Sequence, residues 1–122
     1  MQRKMLRAKI HRARVTAANL EYEGSITIPP SFMQAADLYE YEAVSVWNVT
    51  RGTRFETYVI KGRVEGEICV NGAAAHLVDP DDIVIIAAFV YMDEKRAVLY
   101  NPLVVFINHN NNIIDIRREI AA

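Results

Sequence analysis

The sequence is organised around the stretch Tyr22-Glu23-Gly24-Ser25-Ile26-Thr27-Ile28, which joins a strand-like opening segment to a second strand-like run. Gly24 has no side chain, so the peptide bond before the Ser25 hydroxyl is uncrowded. A serine that attacks the carbonyl group just before it requires this arrangement. Gly-Ser is also a common loop dipeptide, and an ordinary turn is the alternative explanation. The rest of the sequence has to decide between these two.

Length and charge limit the possible classes of protein. The 122 residues suffice for one domain, residues 1–122, with a core that needs neither disulfides nor a structural metal. Fourteen basic residues nearly balance fifteen acidic ones, which argues against a general binder of nucleic acid or membrane surfaces. No apolar run approaches the length of a membrane span. We therefore expect a cytoplasmic protein.

The single cysteine, Cys69, excludes an intrachain disulfide framework and a multi-cysteine zinc site. It lies in the apolar run Ile68-Cys69-Val70, which predicts that it is a small buried hydrophobic residue. The three histidines, His11, His76 and His109, are far apart and lack adjacent acidic residues. The sequence therefore predicts no metal site.

Alternation of apolar and polar residues predicts a mainly β fold. In the opening segment Leu6, Ala8 and Ile10 form one face, which leaves Lys9 on a face that is either a solvated edge or an anion site. The remaining predicted strands are residues 25–28, a hairpin over 44–60, 67–70, a central strand over 83–90, and 103–107. Short helices are predicted at 31–38 and after Asn71, and a closing amphipathic helix at 113–120.

An internal echo supports a barrel. Ala35-Ala36-Asp37-Leu38 and the strand around Val44 recur 39 residues later as Ala74-Ala75-His76-Leu77 and the strand around Ile83. A short helix, an acidic turn and an alternating strand thus occur twice. Duplicated units of this kind predict a small barrel with approximate two-fold internal symmetry.

Several short stretches that contain polar residues match the sequence pattern of a known family. The chain resembles the pyruvoyl-dependent aspartate 1-decarboxylases over nearly its whole length. The matching stretches are Lys9-Ile10-His11-Arg12, Tyr22-Glu23-Gly24-Ser25, Trp47-Asn48-Val49-Thr50, Arg54-Phe55 with Thr57-Tyr58, and Val70-Asn71-Gly72-Ala73-Ala74-Ala75-His76. It departs from the family pattern at Pro29-Pro30, around residues 62–66 and after Met92.

The resemblance implies a double-psi β-barrel and a homotetramer with active sites near the subunit interfaces. It implies decarboxylation of L-aspartate to β-alanine for pantothenate synthesis, without pyridoxal phosphate or a metal. It also implies a zymogen that cleaves itself between Gly24 and Ser25, giving a β chain of residues 1–24 and an α chain of residues 25–122. Ser25 would become a pyruvoyl group that forms a Schiff base with the substrate and serves as electron sink.

Residue roles also follow from the resemblance. Lys9 and Arg54 would hold the two substrate carboxylates, and Thr57 would donate to the oxyanion formed during self-cleavage. Tyr58 would return a proton to the substrate α-carbon after CO2 leaves.

The segment Asn71-Gly72-Ala73-Ala74 would bring backbone groups close to the substrate, and Asn71 would orient this turn or the pyruvoyl carbonyl.

Each assignment has an alternative. Arg54 could pair with Glu56 or Glu42 at the surface, Tyr58 could be a barrel aromatic, and Asn71-Gly72 could be a hairpin turn. Strict alternation places Thr57 on the face opposite Arg54 and Tyr58. A site at a subunit boundary or a β-bulge would resolve this conflict.

Two other functions are possible for the whole chain. One is a non-enzymatic barrel that binds a partner such as DNA through the basic segment of residues 3–14. The other is an uncleaved relative that keeps the fold as a scaffold.

Overall fold

The computed structural model describes residues 1–120, which form nine strands, two short α-helices and a 3₁₀ helix. The strands are β1 (Gln2–Arg14), β2 (Ala17–Asn19), β3 (Ser25–Ile28), β4 (Ala43–Asn48), β5 (Arg54–Lys61), β6 (Cys69–Asn71), β7 (Ile83–Asp93), β8 (Leu103–Ile107) and β9 (Ile113–Arg118). The helices are α1 (Pro30–Ala36), the 3₁₀ helix (Gly72–Leu77) and α2 (Glu94–Ala97). None of the helices within residues 1–120 is long and apolar enough to cross a membrane.

The strands form one continuous hydrogen-bonded order, β2-β6-β3-β5-β4-β7-β1-β8-β9. β1 runs directly into β2, so the chain itself links the seventh strand of this order to the first. In that link the Val15 N–H donates to the carbonyl of Asp82 at 2.9 Å, and the Thr16 N–H donates to that of Ile68 at 2.8 Å. The sheet therefore curls back on itself, and this architecture is consistent with the double-psi β-barrel that the family resemblance implies.

Inward-facing aliphatic residues fill the barrel, as the alternation predicts. Ala8 and Ile10 of β1 are buried, and the next buried residue is Ala13. Ala13 comes three positions after Ile10, whereas regular alternation would bury the second position after it. The register of β1 against β7 shifts at this point, and Arg12 has a φ of 67°. This bulge turns the strand by one residue, so that both halves of β1 keep their apolar side chains in the core.

The internal echo corresponds to a structural repeat. β4 and β7, which carry the repeated pattern, are antiparallel neighbours in the middle of the sheet. Val46 pairs with Ile86, and Trp47 pairs with Ile85. Each strand is preceded by a short helix, α1 or the 3₁₀ helix. This is the placement expected of two copies related by an approximate two-fold axis.

A buried carboxylate ties the β4–β5 hairpin turn to the turn that precedes β7. Asp82 is 4% exposed and accepts from Asn48 Nδ2 at 2.8 Å, Arg51 Nε at 2.8 Å and the Asp79 N–H at 2.9 Å. The Leu77 carbonyl at the end of the 3₁₀ helix accepts from Thr53 Oγ1 of the same hairpin turn at 2.6 Å. The 3₁₀ helix is therefore anchored at its C-terminal end by groups outside it.

The predicted C-terminal helix over residues 113–120 is wrong. Residues 113–118 form β9, antiparallel to β8, with Val105 opposite Ile116 and Leu103 opposite Arg118. The helical stripe of isoleucines was misleading because Ile116 and Ile120 are exposed. β-Branched residues beside an open strand edge are more stable in a ladder than in an isolated two-turn helix.

The β6 region also differs from the prediction. The strand begins at Cys69 rather than at residue 67, and Cys69 is half-buried and not a core residue. Its neighbours Ile68 and Val70 are the fully buried positions. Alternation along β6 therefore turns the thiol toward the opposite face of the sheet.

Candidate active site

Four polar side chains cluster on the outer face of β3 and β6. The two strands are antiparallel, with Ser25 opposite Asn71 and Thr27 opposite Cys69. Ile26 and Val70 lie between these pairs and point into the core, so alternation places the four polar residues on the other face. We call Ser25, Thr27, Cys69 and Asn71 the β3–β6 cluster. Ser25 is only 4% exposed and Asn71 only 6%.

Hydrogen bonds join the whole cluster through Asn71. Its Nδ2 donates to Ser25 Oγ at 2.9 Å and to Thr27 Oγ1 at 3.2 Å. Its Oδ1 accepts from Cys69 Sγ at 3.2 Å. Asn71 ends β6 and precedes the 3₁₀ helix, so the hairpin turn considered for Asn71-Gly72 is wrong. The side chain of Asn71 instead holds the serine hydroxyl.

Gly72 packs directly against the Gly24–Ser25 junction. A Cβ atom on Gly72 would lie 2.7 Å from both the Cα and the N of Gly24, and 3.0 Å from the Tyr22 carbonyl oxygen. Its φ of +72° is also a conformation that favours glycine. Gly24 differs, because a Cβ there would meet no atom within 4 Å. The steric requirement for glycine at this contact therefore falls on Gly72.

Ala73 and Ala74 follow Gly72 in the 3₁₀ helix and are less buried than Gly72. Ala73 is exposed, whereas Ala74 is half-buried and packs against the core.

Tyr58 lies beside Ser25 in the strand register. β3 and β5 are parallel, and their first pair is Ile26 with Val59, so Ser25 and Tyr58 each come one residue earlier. Val59 is fully buried, and Tyr58 therefore faces outward on the same side as Ser25. Its ring lies 6.3 Å from that of Tyr41.

Thr57 lies on the inner face of β5, as alternation predicted. The β4–β5 ladder is continuous from Trp47–Arg54 to Ala43–Tyr58, so the bulge considered from the sequence is wrong. A site at a subunit boundary, the other explanation for Thr57 lying on the face opposite Arg54 and Tyr58, stays a prediction.

Arg54 is exposed at the start of β5, and its guanidinium carbon lies 5.0 Å from the centre of the Trp47 ring. Glu42 accepts from Arg7 at 2.8 Å. The structure therefore does not show the ion pair between Arg54 and Glu42 that was considered as an alternative. Stacking on tryptophan restrains the guanidinium but leaves its N–H groups available in its plane.

Lys9 is not brought to the β3–β6 cluster within one chain. It pairs with Ala87 of β7 and Val104 of β8. Strands β7, β4 and β5 separate β1 from β3 in the sheet order. Four spacings between adjacent strands amount to about 19 Å along the sheet. A lysine side chain cannot span this distance around the outside of a barrel.

A groove of about 640 Å³ opens beside the β3–β6 cluster and is lined by Thr27, Cys69 and Asn71. Lys61 and Arg63 supply cations to its wall, and Glu40 and Glu67 supply carboxylates. Burial raises the pKa of the Cys69 thiol, and the Glu67 carboxylate raises it further. The thiol is therefore protonated at neutral pH.

Sequence reasoning missed Thr27 and Cys69 as parts of the site. The period of the strands was a signal that could have found them, because Thr27 and Cys69 lie two residues from Ser25 and Asn71, respectively. The pairing of β3 with β6 was needed to show that the four residues meet.

Comparison with known proteins agrees with this geometry. A family model described as aspartate decarboxylase matches residues 1–114. An aspartate 1-decarboxylase of Legionella pneumophila strain Lens is 57% identical over 118 residues, covering 96% of this chain and 89% of the relative. That of Rhodopirellula baltica is 51% identical over 98% of this chain and 77% of the relative. That of Myxococcus xanthus is 49% identical over 93% of this chain and 88% of the relative.

Fold, site and family match together define a decarboxylase built on a small, mainly β barrel. The chain belongs to the aspartate decarboxylase family, which confirms the resemblance noted in the sequence.

Replacing Gly72 with alanine should lower stability and disturb the Gly24–Ser25 junction. Gly52→Ala is the matched control, because Gly52 has a similar φ of +79° but open space around its Cβ position. We expect Gly52→Ala to cost about 1 kcal/mol for the positive φ alone and Gly72→Ala distinctly more. Urea denaturation measures both. Equal losses would show that the contact with Gly24 is not tight.

Proposed function

We propose that this protein decarboxylates L-aspartate to β-alanine, the reaction that supplies β-alanine for pantothenate synthesis, and that it acts in the cytoplasm. The observation that carries the proposal is the buried Ser25 hydroxyl, which follows Gly24 and accepts from Asn71 Nδ2 at 2.9 Å in a member of the aspartate decarboxylase family. The names of the relatives supply the substrate class.

Self-cleavage at Gly24–Ser25 is the first step of the proposed activity. Ser25 Oγ attacks the Gly24 carbonyl carbon, the peptide C–N bond breaks, and the hydroxyl proton passes to the nitrogen of residue 25. This ring closure within one dipeptide unit has an effective molarity on the order of 10⁵ M or more. Loss of the residue 25 α-proton then expels the Gly24 carboxylate. Water finally hydrolyses the remaining amine-bearing unit and releases ammonia.

The surroundings of residue 25 suit the pyruvoyl group that this sequence of steps leaves. When present, that group supplies the electron sink that decarboxylation of an α-amino acid requires. Asn71 Nδ2 is a hydrogen-bond donor that already serves an oxygen of residue 25, and carbonyl oxygens accept in the same way.

The remaining roles are assigned to residues of β5, the strand that pairs with β3. Tyr58 lies next to Ser25 in register and on the same face, where its hydroxyl can return a proton to the substrate α-carbon. Arg54, on the same face of β5, offers a planar fork for a carboxylate. Thr57, as donor to the oxyanion at Gly24, must approach from the inner face of the strand.

In our proposal a second copy of the chain completes the site, as in a homotetramer with active sites near its interfaces. Lys9 supports this arrangement because it is separated from the β3–β6 cluster by three intervening strands. If Lys9 binds the second carboxylate of the substrate, the lysine must come from a neighbouring chain.

A DNA-contacting barrel is a weaker alternative because three of the six lysines and arginines in the basic segment are paired with carboxylates within the fold. Three of its arginines form ion pairs, and their partners lie outside the segment: Arg3 with Glu94 at 3.0 Å, Arg7 with Glu42 at 2.8 Å, and Arg14 with Asp81 at 2.9 Å.

The intact mass of the denatured protein tests the proposed processing. We expect two chains split after Gly24, the larger lighter by one ammonia than a chain that begins with serine.

Ser25→Ala should give one folded, uncut and inactive chain, and Thr57→Val should accumulate uncut chain. A wild-type chain that stays whole would favour the scaffold alternative, and β-alanine formation by Ser25→Ala would refute the mechanism.

Tyr58→Phe should spare cleavage and lower kcat for β-alanine formation by about 10²-fold or more, because only the proton donor is removed. Tyr41→Phe is the control, since Tyr41 is a 72% exposed neighbour with no assigned role. Normal turnover in Tyr58→Phe would remove Tyr58 from the reaction.

Mixed assemblies test the shared site. Lys9→Ala chains should cleave yet bind aspartate poorly, and Ser25→Ala chains should remain uncut with Lys9 intact. After the two variants are unfolded and refolded together, some sites combine a processed residue 25 with Lys9 of the other chain, and part of the activity should return. Mixtures no more active than their components would show that Lys9 does not act across an interface.

A further inference from the structure

Cys69 contacts the side chain that donates a hydrogen bond to Ser25. Its Sγ donates to Asn71 Oδ1 at 3.2 Å, while Asn71 Nδ2 donates to Ser25 Oγ at 2.9 Å. The thiol is half-buried and lines the groove, so packing in the core is not its role. The roles assigned above leave Cys69 without a function.

The thiol binds the oxygen end of the Asn71 amide. Nδ2 donates to the hydroxyl oxygens of Ser25 and Thr27, and these two contacts hold one end of the amide. The Cys69 thiol, a weak donor and a weak acceptor, donates to the other end of the amide, and this bond favours the orientation in which Oδ1 faces it. In that orientation the NH2 group faces Ser25 and Thr27.

We propose that Cys69 is a positioning residue that holds the Asn71 amide with its NH2 group toward Ser25, and that the Cys69 thiol hydrogen thereby sets the rate of self-cleavage. The inference rests on the proposed function and extends it to a residue outside the groups that touch the reacting atoms.

The orientation of the amide matters because charge develops on Ser25 Oγ as the hydroxyl loses its proton and attacks Gly24. An N–H donor stabilises negative charge on that oxygen. A reversed amide would place its own oxygen, with a partial negative charge, against the same atom. Because the thiol is protonated at neutral pH, its hydrogen is available to Asn71 throughout the reaction.

Three substitutions at Cys69 separate hydrogen bonding from packing. Cys69→Ser keeps a donor, Cys69→Val keeps the approximate volume without a donor, and Cys69→Ala loses both. Cleavage is followed by intact mass during cell-free synthesis, which starts from uncut chain. We expect the Ala and Val variants to cleave about fivefold more slowly, the size expected for one hydrogen bond, and the Ser variant to stay within about twofold of wild type.

The opposite ranking would overturn the inference. If Cys69→Val cleaves at the wild-type rate while Cys69→Ser is slow, the residue fills space and does not orient Asn71. Wild-type rates in all three variants would equally exclude a positioning role.

A second readout separates this inference from the proposed function. If the wild-type chain is never cut, the proposed processing is wrong, but the orientation of Asn71 remains measurable by NMR of its side-chain NH2 group. The inference then requires wild-type chemical shifts in Cys69→Ser and shifted resonances in Cys69→Val. Shifts that are the same in both variants would defeat it.

Discussion

The pairing of Ser25 with Asn71 across β3 and β6 is the contact on which the candidate site depends. β3 has four residues and β6 has three. A two-stranded ladder this short would not be stable on its own. The pair is held because Ile26 and Val70, between the polar positions, are fully buried. Core packing on one face of the ladder therefore fixes the positions of a serine and an asparagine on the other.

Gly72 extends this constraint from the side chains to the backbone. Its close approach to Gly24 sets where the cleavage junction lies relative to the start of the 3₁₀ helix. The other end of that helix is held by Thr53, in a hairpin turn that the buried Asp82 also binds through Asn48. The junction is thus braced from both ends of one short helix, by backbone contact at its start and by hydrogen bonding at its end.

A closed barrel also limits what a single chain can assemble. Residues on the outer face point away from one another around its circumference, so polar groups on β1 and β3 diverge although both belong to the same sheet. Tyr58 lies near Ser25 because β5 is the immediate neighbour of β3. Lys9 is separated from Ser25 by three strands, and this separation is the physical basis for proposing a site shared between two copies.

The sequence by itself determined the mainly β class, the inward faces of the strands, the repeated helix–strand unit and the residues of the Gly24–Ser25 junction, because these depend on local period and residue type. It failed at β9, where three isoleucines fit a helical stripe but an open strand edge decided the conformation. It also misplaced Cys69, since an apolar run does not reveal which residue leaves the core. Only the tertiary structure decided that Cys69 and Thr27 flank the Asn71–Ser25 contact and that Lys9 does not, because such placements follow from which distant strands pair.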